Sequence, residues 1–177
     1  MCNSISLRYF NPIGSHDSGL IGDCSSDNAN NLVPIVTEVA CGKRDELIVN
    51  GNDYNTHDGT CIRDYIHVVD LAKAHVVAMK RLTEERNIDN FEVYNIGTGK
   101  PSSVLEVIKA FEKFNNIKLN YSFSKRRAGD VASAAGAYKS NPVCFLPSLV
   151  APNNPEPSSS SLILSSPFCA MLPLSLI

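Results

Sequence analysis

The sequence has no excess of charge of either sign: 16 Lys and Arg oppose 18 Asp and Glu, for a net charge of -2 and a pI of about 6.1. Binding to a phosphate backbone needs clustered cations, so DNA and RNA are not expected partners. No unbroken run of about 20 apolar residues exists, which is the length an ordinary membrane helix requires. The start, Met1 to Arg8, lacks the basic-then-apolar order of a signal peptide. The six cysteines (Cys2, Cys24, Cys41, Cys61, Cys144, Cys169) form no C-x-x-C pair, and the four histidines do not fall near them at zinc spacing. No metal site is expected, and the thiols read as reduced ones in a cytoplasmic protein. No G-x-S-x-G supports a serine hydrolase. No internal repeat is visible. What is present, 44% hydrophobic and 19% charged residues, suits a folded core.

Composition breaks near Ser140. All 16 Lys and Arg lie at or before Lys139, whereas seven of the ten prolines and the run Ser158 to Ser161 lie beyond Ser140. Residues 1–139 read as an ordinary folded unit and 140–177 as a poorly ordered tail, because dense proline removes backbone donors and forbids long helices. Within the first part, Ile5–Phe10 is apolar and β-prone, ends at Asn11-Pro12, and predicts a buried strand. Residues 11–30 predict a loop. Asn30 or Asn31 caps a helix carrying Leu32, Val36 and Val39, with Pro34 in its first turn and Gly42 as its stop. Glu46–Val49 predicts a strand and Asn50–Gly59 a polar loop. Asp70 is the expected cap of a helix over Leu71–Thr83, with Leu71, Ala74, Val77 or Ala78, and Leu82 inward. Glu92–Ile96 predicts a strand, Ser103 to Glu106 a capping box opening a helix through Phe114, and Lys118–Phe123 an alternating strand. Strands alternating with helices argue an α/β fold.

Several motifs mimic chemistry. Tyr121 and Lys125 match Y-x-x-x-K, but that pair needs a helix to meet, and a strand holds them roughly 13 Å apart. Gly97-Thr98-Gly99-Lys100 lacks the spacing of a phosphate loop, and Pro101 takes the place after the lysine. Gly14, Gly19 and Gly22 do not have dinucleotide-loop spacing. Arg63, in Arg63-Asp64-Tyr65, and Arg127, in Arg126-Arg127-Ala128-Gly129-Asp130, could together grip a diphosphate, since a guanidinium offers a fork of donors. Charge alone leaves solvated surface arginines as the alternative.

Taken in order, Arg8-Tyr9-Phe10-Asn11-Pro12, Asn30-Asn31-Leu32-Val33-Pro34, Gly51-Asn52-Asp53-Tyr54, Asp58-Gly59-Thr60-Cys61-Ile62-Arg63-Asp64-Tyr65-Ile66-His67, Tyr94-Asn95-Ile96-Gly97-Thr98-Gly99 and Arg126 to Asp130 closely resemble the C-terminal half of the UDP-glucose 4-epimerase family. These are extended short-chain dehydrogenase/reductases, and the resemblance runs from about Ser4 to Asp130. It implies an isomerase of galactose metabolism that interconverts UDP-galactose and UDP-glucose through a 4-keto intermediate with NAD, as a homodimer when complete. It also implies residue roles. Phe10 lies near the nicotinamide and Asn11 near the sugar and diphosphate. Asn31 and Leu32 begin a helix facing the diphosphate. Ile48, Val49 and Asn50 border the uracil. Arg63 and Arg127 hold the diphosphate, Asp130 accepts from ribose hydroxyls, and Tyr65 lies near the ribose. Ala134, four places after Asp130, borders the hexose, and its small size leaves room for an N-acetyl group.

The family's Gly-rich NAD loop, catalytic Ser and Tyr-x-x-x-Lys pair belong upstream of its R-Y-F-N-P segment, where only seven residues stand here. The resemblance therefore implies a substrate-binding part with the NAD-binding Rossmann half missing and no catalytic residue, followed by an aberrant tail over 140–177. An inactive enzyme fragment, a stand-alone nucleotide-sugar binder and a product that does not fold stably are the readings this leaves.

Overall fold

In a computed structural model of the chain, the described residues are 2–23 and 29–134. The expected tail at 140–177 lies outside them, as do Cys24, Cys144 and Cys169. The elements run β1 (Ser4–Tyr9), β2 (Asn11–Ile13), α1 (Leu32–Ala40), β3 (Leu47–Asn50), β4 (Ile62–Arg63), β5 (Tyr65–His67), α2 (Val68–Thr83), β6 (Phe91–Ile96), β7 (Ser102–Ser103), α3 (Val104–Asn115), β8 (Tyr121–Ser124) and β9 (Ser133–Ala134). The expected α/β alternation is present. β1 pairs with β6, β2 with β5 and β3 with β8, each in parallel, while β4 lies between antiparallel β7 and parallel β9.

Two apolar cores organise these elements. Val36 of α1, Leu47 and Val49 of β3, Ile108 and Phe111 of α3, and Leu119 form the first. Ile66 of β5, Leu71 and Ala74 of α2, and Ile96 of β6 form the second, with Leu7 of β1 packed against it. No helix among the described residues is long and apolar enough to cross a membrane.

Local chemistry sets the helix ends. Ser103 Oγ accepts from Glu106 N (3.0 Å) and Glu106 Oε2 accepts from Ser103 N (2.8 Å), so the expected capping box opens α3. Asn116, in the left-handed conformation with φ 51°, closes it. Asn31 is the N-cap of α1 by position, but its side chain makes no cap bond.

Five expectations need correction. The cap of α2 is His67, whose Nδ1 accepts from Val69 N at 3.2 Å, and not Asp70. The helix springs directly from β5, so the last strand residue reaches the free amide first; Asp70 sits in the first turn and accepts from Lys73 Nζ at 3.1 Å. The inward face of α2 ends on Arg81 and not on Leu82, because Arg81 has a buried carboxylate partner in Glu92. The strand expected over Ile5–Phe10 forms as β1, yet none of its residues is buried: among the described residues it pairs on one edge only, and Tyr9 is 51% exposed. The loop expected over 11–30 contains β2, which exists because β5 supplies its partner amides. Finally, β8 begins only at Tyr121, and the alternation expected from Leu119 fails at Phe123, which is exposed at the strand's end.

Candidate functional site

The residues that carry charge chemistry converge where β4 meets the turn after β8. Arg63 ends β4. Its Nη1 donates to the carbonyls of Ile62 (2.8 Å) and Val131 (2.9 Å), and its Nη2 reaches Asp130 Oδ1 at 3.4 Å. Arg127 Nη2 donates to the same Oδ1 at 2.9 Å. One carboxylate therefore gathers both guanidinium groups that the sequence singled out, across 67 residues of chain. Asp130 is mostly buried at its side chain (13% exposed), whereas Arg127 is open to solvent at 63%. The Asp130 bond holds Arg127 above its already high ordinary pKa. Both arginine bonds fall on Oδ1 of Asp130.

A third arginine, Arg126, buttresses this turn. Arg126 Nε donates to Asp53 Oδ1 at 2.7 Å, its Nη2 donates to the Asp53 carbonyl, and its guanidinium carbon lies 4.4 Å from the centre of the Tyr54 ring. The Arg126 bond holds the Asp53 carboxyl below the usual range. Gly51 makes room for this stack: a Cβ there would lie 2.5 Å from Tyr54 Cε2 and 2.9 Å from Arg126 Cγ, and its φ of +83° suits glycine.

Along β3 the side chains alternate. Ile48 is 55% exposed and Asn50 is exposed, with Asn50 Oδ1 accepting from Ser124 Oγ of β8 at 3.1 Å. Val49 is 2% exposed and belongs to the first core. The two-residue period of the strand turns the Val49 side chain inward.

Tyr65 opens β5 opposite Asn11 of β2. Burial pushes its phenol up to about 12, against the lowering field of Arg63, and Cys61 adds to the rise. Tyr65 is thus a neutral donor at ordinary pH. Asn11 is exposed, and its amide donates to the Asp64 carbonyl at 3.1 Å. Phe10 is half-buried, and its Cδ2 borders Gly97, where an added Cβ would meet it at 3.1 Å. Asn31 is exposed at the start of α1, whereas Leu32 packs on the first core; no hydrogen bond joins either to the arginine cluster. Ala134 stands opposite Arg63 in the β4–β9 pair.

The geometry thus brings Arg63, Arg127 and Asp130 together, joins Tyr65 to Asn11 in one ladder, and leaves Ile48 and Asn50 on the open face of the neighbouring sheet. The sequence reading missed Arg126, Asp53 and Tyr54 as supports. Arg126 adjoins Arg127 in the motif, but nothing along the chain signals a bond from it to Asp53, 73 residues away. The reading also missed Asp64, a fully buried carboxylate next to Arg63.

The model of the NAD dependent epimerase/dehydratase family matches residues 1–97. A UDP-glucose 4-epimerase of Haemophilus influenzae is 53% identical over 127 residues, 72% of this chain and 37% of its own length. Among solved structures, a UDP-glucose 4-epimerase of Stenotrophomonas maltophila with bound NAD and formylated UDP-arabinopyranose superposes with TM-score 0.72 at 46% identity, over 76% of this chain and 40% of that one. The Bifidobacterium longum UDP-glucose 4-epimerase in complex with NAD+ and UDP gives 0.68 at 47% identity, again over 76% and 40%. The chain thus spans a little over a third of the length of the curated relatives it matches. The match to the family model occupies the N-terminal part of this chain.

Proposed function

The chain belongs to the NAD dependent epimerase/dehydratase family, and from that premise we propose that it is the nucleotide-sugar-binding side of a UDP-glucose 4-epimerase. The observation that carries this is the Arg63–Asp130–Arg127 cluster. Two guanidinium groups bracketing one carboxylate suit a ligand that offers phosphate oxygens beside a diol. In this reading the arginines face the diphosphate, and the 3.4 Å bond from Arg63 to Asp130 is the one a phosphate oxygen replaces. Asp130 accepts from ribose hydroxyls, and the neutral Tyr65 phenol donates nearby. Ile48 and Asn50 flank the uracil, to which Val49 contributes backbone only. Asn11 reaches the sugar, and the helix begun by Asn31 and Leu32 faces the diphosphate. Ala134, beside Arg63, leaves room at the hexose for an N-acetyl group. The order of the R-Y-F-N-P segment and those after it supports placing the chain on the substrate side of the family pattern, with 1–139 as that unit and 140–177 as a separate tail. The cytoplasmic setting, the role in galactose metabolism and the homodimer of the complete enzyme belong to the same proposal and rest on the same resemblance.

NAD is the family's cofactor, and the two solved relatives described above carry it. Of this chain's residues only Phe10 is assigned to it. Among the described residues the glycines after β2 do not form a phosphate cradle: no helix opens at Gly14 or Gly19, and the space beside Gly14 is filled by His67, whose Nε2 would lie 2.6 Å from an added Cβ. Tyr121 sits on strand β8 and so cannot pair with Lys125 as a helix would allow. The described residues thus do not fit a dinucleotide. In this reading the described residues bind and orient the substrate.

Calorimetric titration of the full chain with UDP tests the reading. Arg127→Ala is expected to weaken binding about tenfold or more, since a charge-assisted bond contributes roughly 1.5–3 kcal/mol. The melting temperature should stay put, because this side chain is exposed. Unchanged UDP affinity would refute the assignment.

A further inference from the structure

We propose that Asp64 is a positioning residue of the nucleotide-sugar site, holding the Arg63 side and the Phe10–Asn11 side at a fixed spacing through a buried hydrogen-bonded lock. The inference rests on the functional reading above. Asp64 links β4 to β5 and is fully buried, yet it belongs to neither apolar core. Among the described residues no cation forms an ion pair with it. Its carboxylate is instead satisfied by a single turn. Thr98 N (2.9 Å) and Thr98 Oγ1 (2.5 Å) donate to Oδ1, and Gly99 N donates to Oδ2 at 2.9 Å. Gly97 is the close approach this demands, because a Cβ there would lie 2.6 Å from Asp64 Oδ2.

The main chain of the same residue ties two further segments. Asp64 N donates to the Ala134 carbonyl at 3.1 Å, and the Asp64 carbonyl accepts from Asn11 N at 3.1 Å. Its sequence neighbours are Arg63, bonded to Asp130, and Tyr65, paired with Asn11. The tied segments carry residues assigned to different groups in the site: Arg63 to the diphosphate, Asn11 and Ala134 to the sugar, and Phe10 to the cofactor ring. An apolar residue would fill this place without the cost of desolvating a carboxylate. What the carboxylate supplies is directional: three donors of one turn aimed at two oxygens, which fix orientation as packing alone does not. Loosening the lock lets the Arg63–Asp130 side keep its own bonds while Asn11 and Phe10 drift relative to it. The uridine diphosphate part of the ligand then still binds, and the sugar's contribution is lost.

The test uses the full chain, wild type against Asp64→Asn, titrated with UDP and with UDP-glucose, alongside amide hydrogen exchange without ligand. The substitution replaces one carboxylate oxygen by an amide nitrogen, which sets a donor against the Thr98 or Gly99 donors. The expected result is a loss of about tenfold in UDP-glucose affinity against about twofold or less for UDP. Exchange should accelerate at Thr98, Gly99 and Asn11, while Val107 and Ile108 of α3 keep their protection. Thr98→Val, which removes one donor and keeps the shape, should move both readouts the same way by less, and it serves if the first variant does not fold. Equal losses for the two ligands, or unchanged exchange at Thr98 and Gly99, would overturn the proposal. A wild-type chain that binds neither ligand would overturn the nucleotide-sugar reading itself and this role with it.

Discussion

At the scale of single residues, Tyr65 is the most sharply specified side chain of the site. Burial raises its phenol to about 12 from an ordinary 10. A raised folded-state pKa contributes stability that is complete below pH 10 and is lost as pH climbs from about 10 to 12. Titration followed by phenolate absorbance should show a tyrosine ionising near pH 12 that Tyr65→Phe removes; the same titration curve above pH 11 in wild type and variant would contradict it. The residue also marks how much of the site the chain shows on its own. Arg63 and Arg127 stood out along the chain only as two arginine sites near one sheet, with solvated surface arginines as the alternative, and it was the family resemblance that joined them to Asp130. The inward turn of the Val49 side chain was not legible: a run of apolar residues states that a strand exists but not which face is inward until β8 and α3 are in place. Asp64 was hidden for the opposite reason. Beside an arginine and before a tyrosine it reads as a surface charge, and only the distant turn at Thr98 and Gly99 makes it a buried acceptor.

At the scale of elements, the features written locally were legible and those written by a partner were not. The Ser103–Glu106 capping box and the stops at Gly42 and Asn116 lie within a few residues of the helix ends they serve, so spacing alone reveals them. The strands β2, β4, β5, β7 and β9 have only two or three residues each, and nothing in so short a segment implies pairing until its neighbour is adjacent. The Arg81–Glu92 pair is the extreme case. Arg81 in the last turn of a helix reads as a solvated cation, yet its side chain is 4% exposed and forks onto Glu92 at 2.7 and 2.9 Å. Glu92 also accepts from Ile88 N at 2.8 Å and Tyr94 Oη at 3.1 Å, joining α2 to β6. The Arg81 bond leads in depressing its carboxyl to about 2. A lowered folded-state pKa gives stability that is present above about 4.5 and lost as pH falls towards 2, worth up to about 3 kcal/mol. Chemical denaturation should show that loss in wild type between pH 4.5 and 2. Glu92→Gln should cost about 3–5 kcal/mol at neutral pH, because it strands a buried guanidinium, and should flatten the acid limb. A variant as stable as wild type at pH 7 would show that the pair is not the tie between these elements.

At the scale of the whole molecule, the second core carries an open side. The β1–β6 pair exposes Tyr9 (51%), Phe91 (61%) and Val93 (39%), and among the described residues neither strand has a second partner. Apolar surface beside unpaired strand edges promotes association. Sedimentation velocity should therefore show the chain growing in mass with concentration, and Phe91→Lys with Val93→Lys should reduce it; a monomer across the whole range would contradict this. The central proposal is that this chain recognises a nucleotide sugar, with none of the described residues placed to transform it. One proton NMR experiment on the full chain with UDP-galactose and added NAD addresses both halves directly. The expected result is saturation transfer from protein to the uridine protons while the UDP-galactose spectrum stays unchanged with time. Growth of UDP-glucose signals, or no transfer to uridine at all, would contradict it.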